Sequence, residues 1–249
     1  MIRSPLAHDF VLAPNIEPRR NGRRPDMLLL HYTGMVSAAA AREILCNALS
    51  GVSCHYLVDE DGFITQMVGE EMRAWHAGVS SWQGETDTNS RSIGIEIQNP
   101  GHSIGYRDFP VEQMQAVAAL CRDIHSRHDI APTRVLAHSD VAPGRKVDPG
   151  ERFDWGWLHS QGIGHWVEPS PADASPLTAD EMTELQQLLQ TYGYGIAATG
   201  ISDEPTRKVL DAFQRHFRPA KVDGQADRCC LMTARQLIGE CRSRLALSG

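Results

Sequence analysis

An α/β domain followed by a small all-α domain is the fold this sequence predicts, and three observations predict it. Short apolar runs at 27–30, 93–97 and 135–137 alternate with helical patterns at 38–49 and 110–128. A stretch with Pro169, Pro171 and Pro176 among Ser, Ala and Asp then has linker composition. Beyond it the apolar spacing is helical only. The expected organisation is therefore a domain at 1–166, a linker at 167–179 and a three-helix unit at 180–249.

Each element has its own signal. Residues 1–26 are rich in Pro, Arg and Asn, lack periodicity and read as an irregular lead-in. M-L-L-L-H-Y-T-G, 27–34, reads as a buried strand with a polar tip. Ser37 is the expected N-cap of the helix 38–49, which places Ile44, Leu45, Ala48 and Leu49 on one face. A strand pair follows at 53–58 and 63–68, around a turn at Asp61-Gly62. Residues 73–90 read as a loop carrying R-A-W-H-A-G and ending in T-N-S. In the strand I-G-I-E-I, 93–97, one carboxylate, Glu96, stands among aliphatic residues. Pro110 opens a helix with Met114, Val117, Cys121 and Ile124 as its apolar stripe. After the run 135–137 comes a turn segment, then F-D-W-G-W-L packed on the sheet. In the tail, Leu185, Leu188 and Leu189 mark one helix, and Val209, Leu210, Phe213 and Phe217 a second. Leu231, Ala234, Leu237, Ile238 and Cys241 mark the third.

Composition excludes several functions. Of the 249 residues 41% are hydrophobic and 22% charged, ordinary for a globular protein. A net charge of -7 argues against nucleic acid as a partner. No apolar run approaches the roughly 18 residues of a membrane span, so membrane insertion is not expected. Six cysteines, none in a C-x-x-C pair, read as reduced structural residues. No signal peptide or lipid-attachment cysteine stands near the start, which places the chain in the cytoplasm if that start is native. The cell envelope is nonetheless the reading favoured here, on the strength of what the tail resembles. Composition carries no signal for oligomeric state.

Chemistry concentrates in V-L-A-H-S-D-V-A-P-G-R-K-V-D-P, 135–149. The apolar run fixes His138 at a strand tip, and Asp148 follows on a loop. A neutral histidine nitrogen and a carboxylate oxygen suit zinc, which in catalytic sites keeps three protein ligands and an open position. His31 ends an apolar strand of the same type, and neighbouring strands bring such tips together. His31, His138 and Asp148 thus form an open zinc site, although eleven histidines leave other combinations open. Glu96 is costly to bury alone. It is either an inward Glu paired with a residue such as Arg91, or a general base beside the metal. Lys146 is a solvated loop charge or a cation facing a developing oxyanion. His55 reads as a core residue or as support for a ligand. Trp75 and His76 lie on an aromatic loop where substrate contact and packing both fit.

These residues carry a resemblance. H-Y-T (31–33), W-H-A-G-V-S (75–80), S-I-G-I-E-I-Q-N (92–99) and A-H-S-D-V-A-P-G-R-K-V-D-P-G (137–150) resemble the zinc-dependent N-acetylmuramoyl-L-alanine amidases of the AmpD/AmiD type. The resemblance runs from about residue 11 to 166. It implies a mixed central sheet flanked by helices, a fold shared with peptidoglycan-recognition proteins and phage T7 lysozyme. It implies zinc, one ion per chain, on His31, His138 and Asp148, with Glu96 activating water and Lys146 stabilising the oxyanion. Tyr32, Trp75, His76 and Asn89, in or beside these motifs, are the candidate substrate contacts. Phage-type relatives place a Cys as third ligand and use a catalytic Tyr. Here Asp148 takes the first place and Cys54 sits near the second, so the chain follows the branch that uses Glu. F-Q-R-H-F-R-P (213–219) with V-D-G (222–224) is similar to a three-helix peptidoglycan-binding domain, departing from it at Cys229-Cys230.

The implied reaction is hydrolysis of the amide between N-acetylmuramic acid, or its 1,6-anhydro form, and L-alanine, on peptidoglycan or muropeptides. Two other readings use the same residues. A non-catalytic peptidoglycan-recognition protein would hold zinc without turnover. A zinc hydrolase of another amide would release products of different mass.

Overall fold

The computed structural model describes residues 2–170 and 175–247. The part of the expected linker at 171–174, with Pro171, lies outside the described residues. The strands are Asp9–Phe10 (β1), Ile16–Pro18 (β2), Met27–Tyr32 (β3), Tyr56–Val58 (β4), Ile64–Gln66 (β5), Met72–Ala74 (β6), Ser92–Ile97 (β7) and Val135–Ala137 (β8). Six of them form a mixed sheet in the order β1-β5-β4-β7-β3-β8, parallel throughout except where β4 meets β5. β2 and β6 pair antiparallel as a separate ribbon. The helices are Ala38–Leu45 (α1), Thr88–Arg91 (α2), Val111–His125 (α3), His138–Val141 (α4), Trp155–Ser160 (α5), Ala179–Tyr192 (α6), Glu204–Phe217 (α7) and Arg228–Leu247 (α8).

Several expectations need correction. The lead-in is not irregular: His8 donates its N–H to the carbonyl of Ile64, which sets β1 along the sheet edge. Expected loop 73–90 contains part of β6 and most of α2. The first helix stops at Leu45 rather than 49, because the Cys46 N–H already closes on Arg42 and a turn joins Asn47 to Ser50. Leu49 is therefore 94% exposed, and Ile44 faces the cleft described below. F-D-W-G-W-L is helical at α5, capped by Asp154, whose carboxylate accepts from the Trp157 N–H at 2.8 Å. Ser37 caps α1 as expected, accepting from the Ala40 N–H at 3.2 Å.

Alternation along β3 divides the core. Leu28 and Leu30 join the apolar stripe of α3, including Val117, Cys121 and Ile124, together with Trp155 and Leu158 of α5. Met27 and Leu29 look the other way. They share a cluster with Trp82, Leu136, Val141, Leu185, Leu189, Leu210, Phe213, Phe217 and Leu237. The tail helices thus cover one face of the sheet, and one core runs through both regions. The expected three-helix unit is thereby joined to the sheet by shared apolar contacts. Leu210, Phe213 and Phe217 share this cluster with sheet residues and with residues of α6 and α8.

A polar knot locks α3 to β4. Glu70 is fully buried and accepts from Arg127 Nη2 at 2.6 Å, His128 Nε2 at 2.7 Å and the Tyr56 hydroxyl at 2.5 Å. Burial pushes the Glu70 carboxyl up, but the bonds from His128, Arg127 and Tyr56 outweigh it and hold the pKa at about 2, below its ordinary 4.5. Because the folded value is depressed, this stabilisation is complete above pH 4.5 and is lost as pH falls towards 2. We predict that Glu70→Gln lowers stability at pH 7 by about 3 kcal/mol. It should also flatten the acid limb between pH 4.5 and 2 in urea titrations. An unchanged acid limb would remove Glu70 as its source.

Candidate active site

Register brings three functional side chains to one edge. In the parallel ladder His31 pairs with Glu96, and Leu30 with Ala137, so His31, Glu96 and His138 form one row across β3, β7 and the end of β8. This is the C-terminal edge of the parallel strands, where open α/β sheets place their ligands. Asp148 returns to the row because the Ser139 N–H donates to its own carbonyl at 3.0 Å.

His31 Nδ1, His138 Nδ1 and Asp148 Oδ2 face one another at 2.9, 3.1 and 2.9 Å, all three residues buried. Metal bonds of about 2.0 Å in a tetrahedral site put donor atoms roughly 3.3 Å apart. The set therefore fits a small tetrahedral cation with little adjustment.

The hydrogen bonds behind the ligands assign their tautomers. His138 Nε2 donates to the Ala77 carbonyl at 3.0 Å, which leaves its Nδ1 lone pair facing the other ligands. For His31 the assignment passes through a relay. The Ser92 hydroxyl donates to the Thr88 carbonyl at 2.7 Å, so its oxygen accepts from His76 Nε2 at 3.3 Å. His76 Nδ1 must then accept from His31 Nε2 at 3.0 Å, and His31 Nδ1 is left as a lone pair. Burial, reinforced by His138, lowers the His31 pKa to about 4 against the pull of Asp148, so the ring is neutral near pH 7. Asp148 is held well below the carboxylate range: burial opposes this, and His138 and His31 outweigh it. Gly94 makes room for the relay, since a Cβ there would lie 2.6 Å from His76 Nδ1.

Glu96 stands half-buried in the wall of the cleft. Its Oε2 is buried and accepts no hydrogen bond among the described residues. Arg91, the partner weighed from the sequence, instead pairs with Asp26 and Glu85. Burial, then Asp148, pushes the Glu96 pKa well up, and Lys146 opposes them. The cleft, about 630 Å³, is lined by His31, His138, Asp148, Glu96, Lys146, Tyr32 and Trp75, together with Ile44 and Leu45 of α1.

Two expected substrate contacts change character. His76 lines the cleft, yet its ring is committed to His31 and Ser92. Asn89 does not line it: the Asn89 amide oxygen accepts from the His76 and Ala77 N–H groups at 3.2 and 2.9 Å, fixing the loop from behind. His55 is fully buried, its Nδ1 accepting from the Gly94 N–H at 3.0 Å. Arg145 was missed by sequence reasoning. It donates to the Ala77 and Val79 carbonyls at 2.5 and 2.9 Å, and nothing distinguishes it in sequence from a solvated loop arginine.

With this geometry in view, comparisons with known proteins are informative. Residues 21–151 match the family described as N-acetylmuramoyl-L-alanine amidase, and residues 178–231 match a putative peptidoglycan binding domain. The chain is 39% identical to the N-acetylmuramoyl-L-alanine amidase AmiD of Escherichia coli strain K12 over 221 residues, 82% of this chain and 79% of that one. It is 35% identical to the 1,6-anhydro-N-acetylmuramyl-L-alanine amidase AmpD of the same organism, over 58% of this chain and 86% of that one. Among solved structures, E. coli AmiD in complex with the substrate anhydro-N-acetylmuramic acid-L-Ala-D-gamma-Glu-L-Lys superposes with a TM-score of 0.78. It is 34% identical, and the match covers 90% of this chain and 92% of that one.

Proposed function

From the membership of this chain in the N-acetylmuramoyl-L-alanine amidase family, we propose a working site built on one zinc ion held by His31, His138 and Asp148. The chain is a hydrolase of the amide between N-acetylmuramic acid and L-alanine, acting on peptidoglycan fragments. The convergence of three buried donor atoms beside an unpartnered carboxylate carries the site assignment.

Zinc, when bound there, would supply Lewis acidity, lowering the pKa of a water towards neutrality. The chain does the rest. His31 and His138 are oriented through His76 and the Ala77 carbonyl. Glu96 is placed to take a proton from the attacking water and return it to the leaving amine of L-alanine. Its position in the hydrogen-bonded strand row fixes its distance from the ligands. Lys146, which lines the cleft, is the cation assigned to the carbonyl oxygen as it gains charge. Tyr32 and Trp75 offer aromatic surface to the substrate.

The purified chain should hold about one zinc per molecule, lose activity to a chelator and regain it with zinc. With a soluble anhydro-muropeptide, mass spectrometry should show a free peptide beginning with L-alanine. Cleavage at a peptide–peptide bond, or zinc without turnover, would exclude the assigned reaction. Normal zinc content and turnover in His31→Ala would exclude the ligand set.

A further inference from the structure

The metal loop, 137–151, is gripped by the tail at its start, middle and end. Near the start, Asp140 is fully buried in α4, two residues after His138. Its Oδ1 accepts from the Tyr194 hydroxyl at 2.6 Å, and its Oδ2 from His216 Nδ1 at 2.7 Å. Oδ2 also accepts the Ala137 N–H at 2.8 Å, closing the first turn of α4. In the middle, the Lys208 stem lies on Gly144, where a Cβ would come within 2.4 Å of Lys208 Cδ. At the end, Arg215 pairs with Glu151. Lys208, Arg215 and His216 are spaced by seven and eight residues along α7 and so share one face, turned to the loop. The His216 ring is clasped between Trp155 and Phe217, with centroids 3.8 and 4.0 Å away.

We propose that Tyr194 and His216 are positioning residues for the metal centre, acting through Asp140 on His138. The tail is thereby a working part of the catalytic site as well as a module appended to it. The physical reason is the state of Asp140. A fully buried carboxylate is tolerated only while its acceptor sites are filled. Remove either tail donor, and Asp140 must turn towards other partners or water. It then releases the Ala137 N–H, the first turn of α4 loosens, and His138 Nδ1 drifts from His31 and Asp148. Partners that orient a ligand typically change metal affinity by about 10- to 100-fold when lost.

The proposal rests on the assignment of zinc to His31, His138 and Asp148, and its test separates the two. Zinc affinity is measured by competition with a chromophoric chelator, and the melting temperature of each metal-free protein is taken alongside. Full-length wild type is compared with His216→Phe, which keeps the clasped ring and loses the donor. A second comparison is His216→Asn, whose amide nitrogen lies as many bonds from Cα as Nδ1 does, so the donor remains and the ring is lost. Zinc should bind His216→Phe about 10- to 100-fold more weakly. It should bind His216→Asn nearly as wild type does, although that variant melts earlier. Equal weakening in both variants would assign the effect to packing and overturn the proposal, as would unchanged affinity in His216→Phe. Should His216→Phe fail to fold, Tyr194→Phe removes a single oxygen, and unchanged zinc affinity there would overturn the proposal equally. Failure of the wild type to bind zinc would instead sink the ligand assignment itself.

Discussion

Glu96→Gln is expected to lower kcat by at least about 100-fold while zinc content stays near one per chain, the low end of what a lost general acid–base costs. Glutamine keeps the length and the planar end of the side chain. The cleft wall and the strand row across β3, β7 and β8 should therefore survive. What disappears is the carboxylate proposed to accept a proton from water and pass it to the leaving nitrogen. Burial and the nearby Asp148 raise the Glu96 pKa, with Lys146 opposing them, which makes the carboxylate a stronger base. Steady-state kinetics on a soluble muropeptide, with metal content measured on the same sample, checks this. A rate within a few-fold of wild type would leave Glu96 as a buried strand residue without chemical duty.

Removing the tail should do more damage still. A fragment ending near Glu168 uncovers Met27, Leu29, Trp82, Leu136 and Val141, all buried in the cluster shared with α6, α7 and α8. Each large apolar side chain returned to water costs about 1.5–3 kcal/mol, and whole domains are stable by only about 5–15 kcal/mol. The fragment also loses the partners of Asp140. We expect insoluble protein, or a soluble fraction that neither holds zinc tightly nor turns over muropeptide. Sedimentation and zinc content of the purified fragment would show it. A monomeric fragment with full zinc and normal turnover would mean that the sheet face closes over by itself, with the tail serving polymer binding alone.

Much of this was legible in the sequence because the signals were local. Buried strands announce themselves as aliphatic runs, and the polar residues that end them, His31 and His138, were the ligand candidates for that reason. Register was not legible. That His31 sits opposite Glu96 depends on hydrogen bonds between strands 65 residues apart, which no window of sequence reports. Partners of polar residues were equally hidden. Arg91 looked available to Glu96, yet Asp26 and Glu85 lie nearer in space. Asn89 lies beside the motif 92–99 and reads as a substrate contact, whereas its side-chain amide oxygen holds the backbone of residues 76 and 77. The tail gave its helices clearly by periodicity, but an apolar stripe does not say whether it faces two sister helices or a sheet as well. His216 and Asp140 are 76 residues apart, so their bond could be found only in three dimensions.

The strand row has a further consequence for how correctly folded protein can be recognised. Successive side chains of β7 point to opposite faces, so a slip of one residue against β3 would put Ile95 or Ile97 beside His31 and drive the Glu96 carboxylate into the aliphatic layer under α3. Such a chain would have the right helices and much of the right sheet, and circular dichroism would hardly tell it apart. It would have no catalysis at all. With zinc bound as proposed, specific activity per zinc is therefore a register gauge for this molecule. It counts the strands that have paired in step, which spectroscopic measures of secondary structure cannot do.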